Sequence, residues 1–350
     1  MLTNHRDERR SAEARGQRTA RVAAWLLMAL LLLLPLATSS SSSPLRLQEK
    51  KARTPAPSKT EAQPEAQGEQ DDVVTLRADL VVVNVTVTDA AGQYAHGLKL
   101  KDFTLLEDDA PQAINSLSAE ESPFAAAILI DMSGSMEYKF GQVRGAAAAF
   151  IDHIRDNDQV AVYGFNNKVR QVQDFTNVRD IADAIWDAKA EDRTRLYDGM
   201  DEGITALAAR PEKRRAVLLI SDGWDNTSTK ATFDSVMKRA LSAGIVVYTI
   251  DLIDDNTLTG SGQEALMLRK GRGDMKEFAA QTGGRYVHTP QGNDLEAAFT
   301  NIVDELRNQY TLTFYPTNKK RDGRWRKLTV VARGKTLSVR ARRGYYAPKS

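Results

Sequence analysis

Four apolar runs, Ala125 to Ile130, Val160 to Phe165, Ala216 to Ile220 and Ile245 to Ile250, constrain this chain more than any other feature. A strand that alternates apolar and polar residues buries one face. A strand that is apolar almost throughout is buried on both, the condition of a parallel sheet covered by helices. The segments between the runs, Phe140 to Ile154, Leu196 to Ala208, Thr232 to Ser242 and Asp294 to Leu306, carry apolar residues at helical spacing. Strand and helix in alternation predict an α/β fold: a doubly wound, Rossmann-like, mostly parallel sheet.

Both flanks of this region read as β-structure. Leu80 to Thr88 is β-branched and then alternating, and Asp89-Ala90-Ala91-Gly92 reads as a turn, which predicts a strand followed by a hairpin; a second strand is expected from Asp102 to Glu107. Near the other end come Gln309 to Tyr315, a turn at Asp322-Gly323, then Lys327 to Ala332 and Thr336 to Arg342. Two or three strands at either end are too few to close a core alone. One small β-sandwich-like domain made from both flanks, with the α/β domain inserted in it, is the economical solution. The expected bounds are 73–122 and 308–347 for the two β parts and 123–307 for the insert.

Ahead of these, Arg6, Arg9, Arg10, Arg15, Arg18 and Arg21 precede an apolar run from Val22 to Leu36, followed by Ala37, Thr38 and Ser39. That order predicts a signal peptide or signal anchor over 1–38, and with it export to the periplasm, cell envelope or exterior. Residues 39–72, rich in Ser, Pro, Glu, Gln and Lys, predict a disordered tether.

The 350 residues carry 48 basic and 46 acidic side chains, so no global field favours a nucleic acid partner. The chain has no cysteine, which removes thiolate metal sites and cysteine nucleophiles and leaves oxygen or imidazole to hold any metal. Ligands of doubly wound sheets sit at the carboxyl ends of the strands. That rule selects Asp131-Met132-Ser133-Gly134-Ser135 after the first run and Ser221-Asp222-Gly223 after the third. Asp131, Ser133 and Ser135 alternate, so one extended turn can aim three oxygens at a point, and oxygen donors with retained waters suit Mg²⁺. Thr194 offers a further hydroxyl just before the helix at Leu196.

These residues resemble the metal ion-dependent adhesion site of von Willebrand factor type A domains. Asp131-Met-Ser-Gly-Ser135 matches the D-x-S-x-S core, Thr194 the later threonine and Asp222 the later aspartate. The resemblance implies a Mg²⁺ site, with Mn²⁺ or Ca²⁺ as alternatives, at Asp131, Ser133, Ser135, Thr194 and Asp222. In that family the serines and threonine contact the metal directly or through water, and the aspartates act largely through water. It further implies an open coordination position that takes an acidic side chain from a protein partner, and binding without catalysis. The flanks, including Val81 to Asp89 and Arg340 to Tyr346, resemble a group of secreted bacterial type A proteins known best from acidobacteria. One departure is Asp192-Arg193 before Thr194, where the family often has glycine.

Two other functions are compatible with the sequence: a structural part of an envelope assembly whose β-edges associate without metal, and a metal-dependent hydrolase, for which no general base stands near the motif. Arg272-Gly273-Asp274 spells an integrin-type tripeptide beside an expected helix start at Asp274. The basic residues between Lys319 and Arg343 read mainly as an exposed strand face that keeps edges apart. His153 and His288 have no partner histidine at ligand spacing, His96 lies in an expected turn, and Asp108-Asp109 and Asp254-Asp255 read as turns.

Overall fold

The structure, a computed structural model, describes residues 79–119, 122–178, 193–289, 294–334 and 336–349. The expected signal segment and tether lie outside the described residues. In chain order, β1 (Val81–Thr88), β2 (Phe103–Glu107), β3 (Ala110–Gln112) and β4 (Ile114–Ser118) come first. The insert follows: β5 (Phe124–Asp131), α1 (Phe140–Asp152), β6 (Gln159–Phe165), β7 (Val169–Thr176), α2 (Leu196–Ala208), β8 (Arg214–Ser221), α3 (Phe233–Ala243), β9 (Val246–Asp251), α4 (Gln263–Thr282), β10 (Tyr286–His288) and α5 (Leu295–Asn308). The chain then returns as β11 (Tyr310–Phe314), β12 (Trp325–Ala332), β13 (Ser338–Ala341) and β14 (Gly344–Tyr346).

The insert is a six-stranded sheet of order β10-β9-β8-β5-β6-β7. All neighbours are parallel except the β6–β7 pair at one edge. Every residue of β5 is buried, as a two-sided apolar strand requires. One face packs Phe124, Ile128 and Ile220 against α1 and α5, where Phe150 and Phe299 meet edge to face at 5.7 Å. The other packs Leu129, Val217 and Leu219 against Met200 and Ile204 of α2, Val236 of α3 and Phe278 of α4. Each such side chain contributes ~1.5–3 kcal/mol on burial.

The flanks form two antiparallel four-stranded sheets, β13-β1-β11-β4 and β14-β12-β2-β3, around their own core. The alternation of β1 explains its double duty. Val81, Val83, Val85 and Val87 enter that core, while Asn84 and Thr86 face the insert, bonding the Lys213 carbonyl at 3.2 Å and the Glu305 carboxylate at 3.3 Å. Arg342 donates to the carbonyls of Leu241 (2.8 Å) and Val82 (2.7 Å), tying α3 to β1. These contacts all meet the amino-terminal edge of the parallel strands, so the β-domain sits opposite the strand ends selected as the site.

Three expectations are corrected. The turn at Asp89 to Gly92 forms, but the hairpin shrinks to a single Thr88–Tyr94 bridge, because β13 holds one edge of β1 from Val85 to Thr88 and β11 takes the other from Val85 back to Val81. Helix α4 begins at Gln263, so Asp274 lies inside it. Arg326 and Arg342, expected on an exposed strand face, are buried. Asp108 and Asp109 do make a turn, at φ 48° and 67° between β2 and β3.

Candidate metal centre

Strands β5 and β8 are hydrogen-bonded neighbours running in one direction, so Asp131, the last residue of β5, and Ser221, the last of β8, reach the same edge of the sheet. The Ser221 hydroxyl donates to Asp131 Oδ2 at 2.5 Å, and the Ser133 backbone N–H to Asp131 Oδ1 at 2.9 Å. Ser133 precedes a 3₁₀ turn, Gly134–Lys139, that leads into α1. In that turn the hydroxyls of Ser133 and Ser135 lie 3.0 Å apart, and Ser135 donates to Asp222 Oδ2 at 2.6 Å. Four of the five expected residues therefore form one hydrogen-bonded chain across two strand ends.

Thr194 is placed differently. Its N–H donates to Asn226 Oδ1 at 2.9 Å, and its carbonyl accepts from Asn226 N at 3.2 Å and Thr227 N at 3.1 Å, which binds it to the loop that carries Asp222. Its hydroxyl makes no hydrogen bond to the other four. Ser135 is exposed, whereas Asp131, Ser133, Thr194 and Asp222 are at most 6% exposed.

Burial pushes the Asp131 carboxyl up to about 7, and the Asp222 carboxylate adds to the rise. Asp222 is also raised by burial, against the pull of its bonds from Ser135 and Trp224 N–H and of the Lys139 charge. Two buried carboxylates share a corner whose other donors are hydroxyls, and a hard divalent cation is the partner that would favour both as anions. Among the described residues no group of three or more His, Asp or Glu is placed so that together they could hold a metal ion, so a metal here would rest on these two carboxylates and the hydroxyls of Ser133, Ser135 and Thr194.

Residues 127–276, from the middle of β5 to the middle of α4, match the von Willebrand factor type A domain family. The chain contains a type A domain. An uncharacterised Synechocystis protein is 32% identical over 106 residues, which is 29% of this chain and 25% of that protein, so the match spans about a quarter of the relative's length. Among solved structures, a von Willebrand factor type A protein from Catenulispora acidiphila is 13% identical, covers 78% of this chain and 74% of its own, and gives a TM-score of 0.45. The von Willebrand factor domain of a type V pili tip protein from Porphyromonas gingivalis is 13% identical over 53% of this chain and 95% of its own, with a TM-score of 0.42.

Around the type A domain's candidate centre stand residues to which the motif gives no role. Ser221 was selected only as part of the loop that carries Asp222. Gly223 (φ +78°) packs its backbone on Gly271 of α4: a Cβ on Gly271 would lie 2.2 Å from the Gly223 carbonyl oxygen. Asp251, at the end of β9, pairs with Arg272 Nε at 2.6 Å and accepts from the Tyr286 hydroxyl at 2.5 Å. Arg272 is thus turned inward, and Asp274 accepts from the Tyr197 hydroxyl at 2.6 Å. The type A domain does not present this tripeptide on a loop; it spends its charges on internal pairs.

Proposed function

We propose that this protein is an exported binding protein that works by metal-dependent adhesion, with Asp131, Ser133, Ser135, Thr194 and Asp222 holding Mg²⁺, or Mn²⁺ or Ca²⁺ in its place. A von Willebrand factor type A domain supports a role in adhesion or protein–protein interaction. The observation that carries the metal reading is the convergence of Asp131 and Asp222, linked through Ser135 and Ser221, with Asp131 held up to about 7 by burial and by its neighbour's charge. A divalent cation would supply the missing positive charge and offer a coordination position to an Asp or Glu carboxylate of a protein partner. The arginine-rich start and the apolar run from Val22 to Leu36 support export. The protein is read as a binder rather than an enzyme.

Calorimetric titration of Mg²⁺ or Mn²⁺ tests the centre. Heat of binding is expected with the protein and not with Asp131→Ala; equal heats from both would sink the metal reading. Capture of partners from envelope extracts should fail in chelator and return with added Mg²⁺. Capture indifferent to chelator would leave a metal-independent assembly role.

A further inference from the structure

At the junction of the two domains, far along the sheet from the candidate metal centre, lies a groove of about 1160 Å³. The start of β1, the carboxyl ends of α2 and α3, the 316–321 loop and the chain from β14 to Lys349 line it. Arg215, Lys319, Lys320, Arg321, Arg342 and Lys349 give it six cations against one carboxylate, Asp79, which pairs with Arg321 at 2.7 Å. Among the described residues, none of the other five has a salt bridge. Arg342 is 8% exposed and stacks on Tyr345, and it and Arg215 each keep a buried Nε–H with no acceptor. Their remaining N–H groups cap helix ends: Arg215 donates to the Ala208 carbonyl (3.2 Å) and Ala243 carbonyl (2.5 Å), and Arg342 to that of Leu241 (2.8 Å). A helix end offers only about half a negative charge, so two ends do not neutralise two guanidinium groups and three lysines. Burial holds Arg342 down to about 10, and the nearby Arg215 charge acts in the same direction.

We propose that this groove binds an acidic peptide segment of a protein partner, carboxylates on the lysines and apolar side chains on its walls. Charge complementarity calls for an anion, and the lining chooses which. Leu80, Pro316 and Pro348 supply apolar wall, which suits side chains interspersed with Asp and Glu. A single-stranded nucleic acid needs open aromatic faces for its bases, but Tyr345 is buried and Tyr346 is covered by Trp325 at 5.1 Å and Lys238 at 5.0 Å. A flat anionic bilayer does not enter a concave groove. The volume slightly exceeds the roughly 300–1,000 Å³ of small-ligand pockets, as a short peptide requires. The site is independent of the metal reading.

The test uses the full-length protein and a labelled peptide alternating glutamate with leucine, its glutamine counterpart, a single-stranded oligonucleotide and anionic vesicles. The acidic peptide should bind by fluorescence anisotropy, more weakly as salt rises, and should raise the melting temperature by binding the folded state. The exposed double variant K319E/K320E should weaken it about tenfold or more. Lys101→Glu, on an exposed turn outside the groove, should leave it unchanged. Chelator should have no effect. No binding, equal binding of the glutamine peptide, tighter binding of oligonucleotide or vesicle, an unmoved K319E/K320E, or loss in chelator would each overturn the proposal.

Discussion

The two edges of the type A sheet are lined by different side chains. At the carboxyl edge stand Asp131, Asp222 and Asp251, all buried, with Asp198 in the first turn of α2 accepting backbone N–H bonds from Thr229, Lys230 and Ala231 at 2.9–3.1 Å. At the amino edge stand five arginines that serve helix ends, beside the buried carboxylates Asp158 and Glu305, with which Arg307 and Arg340 also pair. Arg307 donates to the His153 carbonyl after α1, Arg215 to Ala208 of α2, Arg342 to Leu241 of α3, Arg340 to Gly284 after α4 (2.7 Å) and Arg214 to Leu306 of α5 (3.3 Å). The division follows from topology. In a doubly wound sheet every helix starts where a strand ends, so one edge gathers unpaired N–H groups and the other unpaired carbonyls. The carboxyl edge is thereby suited to anions and the cations they hold; the amino edge is suited to guanidinium groups that fasten a second domain.

The largest way to break this contrast is at Arg214, which is fully buried and also donates to the Gln309 carbonyl at 2.6 Å and the Arg307 carbonyl at 2.9 Å. Arg214→Met should cost about 3 kcal/mol or more in urea unfolding, because buried carbonyls lose their donor, while Mg²⁺ affinity of the folded protein stays unchanged. At the opposite edge, Gly271→Ala should push the Gly223 loop, and with it Asp222, lowering metal affinity by about 10- to 100-fold. Gly273→Ala, on the same helix with open space around it, should leave metal affinity alone and add up to ~1 kcal/mol of stability. Equal calorimetric constants for the two variants would disconnect α4 from the centre.

Protons sharpen the contrast further. Asp131 is raised from 3.8 to about 7, so the folded state holds its proton more tightly than the unfolded chain does. That contribution to stability is complete below about pH 4 and is lost as pH rises through about 7. Metal-free protein should therefore melt at a higher temperature near pH 5 than near pH 8, by a stability difference of about 2–3 kcal/mol. Saturating Mg²⁺ should shrink that difference, and Asp131→Asn should remove it. The smallest effect belongs to an exposed pair, Lys327 with Asp109 at 2.8 Å. Lys327→Ala should change stability by no more than about 0.5 kcal/mol, showing that charge matters at the sheet edges because it is buried there.

Much of this was legible before the structure. The runs that became β5, β6, β8 and β9 are apolar because both faces are covered, a property of composition alone. Strand β7 escaped because it is an antiparallel edge, and Arg170, Gln171 and Asp174 are exposed on it. The first half of α4 escaped because Lys270-Gly271-Arg272-Gly273 interrupts its helical pattern. At the centre, Asp131, Ser133, Ser135 and Asp222 were readable because each stands at a strand end or in the loop that follows it. The Gly223–Gly271 approach was not, since neither glycine signals its partner. Arg326 and Arg342 were misread for a related reason: a buried guanidinium satisfied by a helix carbonyl, as Arg342 is by Leu241, or by a loop, as Arg326 is by Lys320 and Asp322, looks in sequence like an exposed one.

The insertion of one domain into another fixes how tension would travel through the molecule. The type A domain is joined to the β-domain through β4 and β11, whose ends are hydrogen-bonded neighbours, Ser118 opposite Thr311. Strand β11 in turn pairs antiparallel with β1, from Val81 opposite Phe314 to Val85 opposite Tyr310. A pull on the type A domain enters β11 at Tyr310, while a chain held from its amino-terminal side resists at Val81, the opposite end of the same ladder. The two strands are therefore loaded in shear, and their rungs must fail together rather than unzip one at a time.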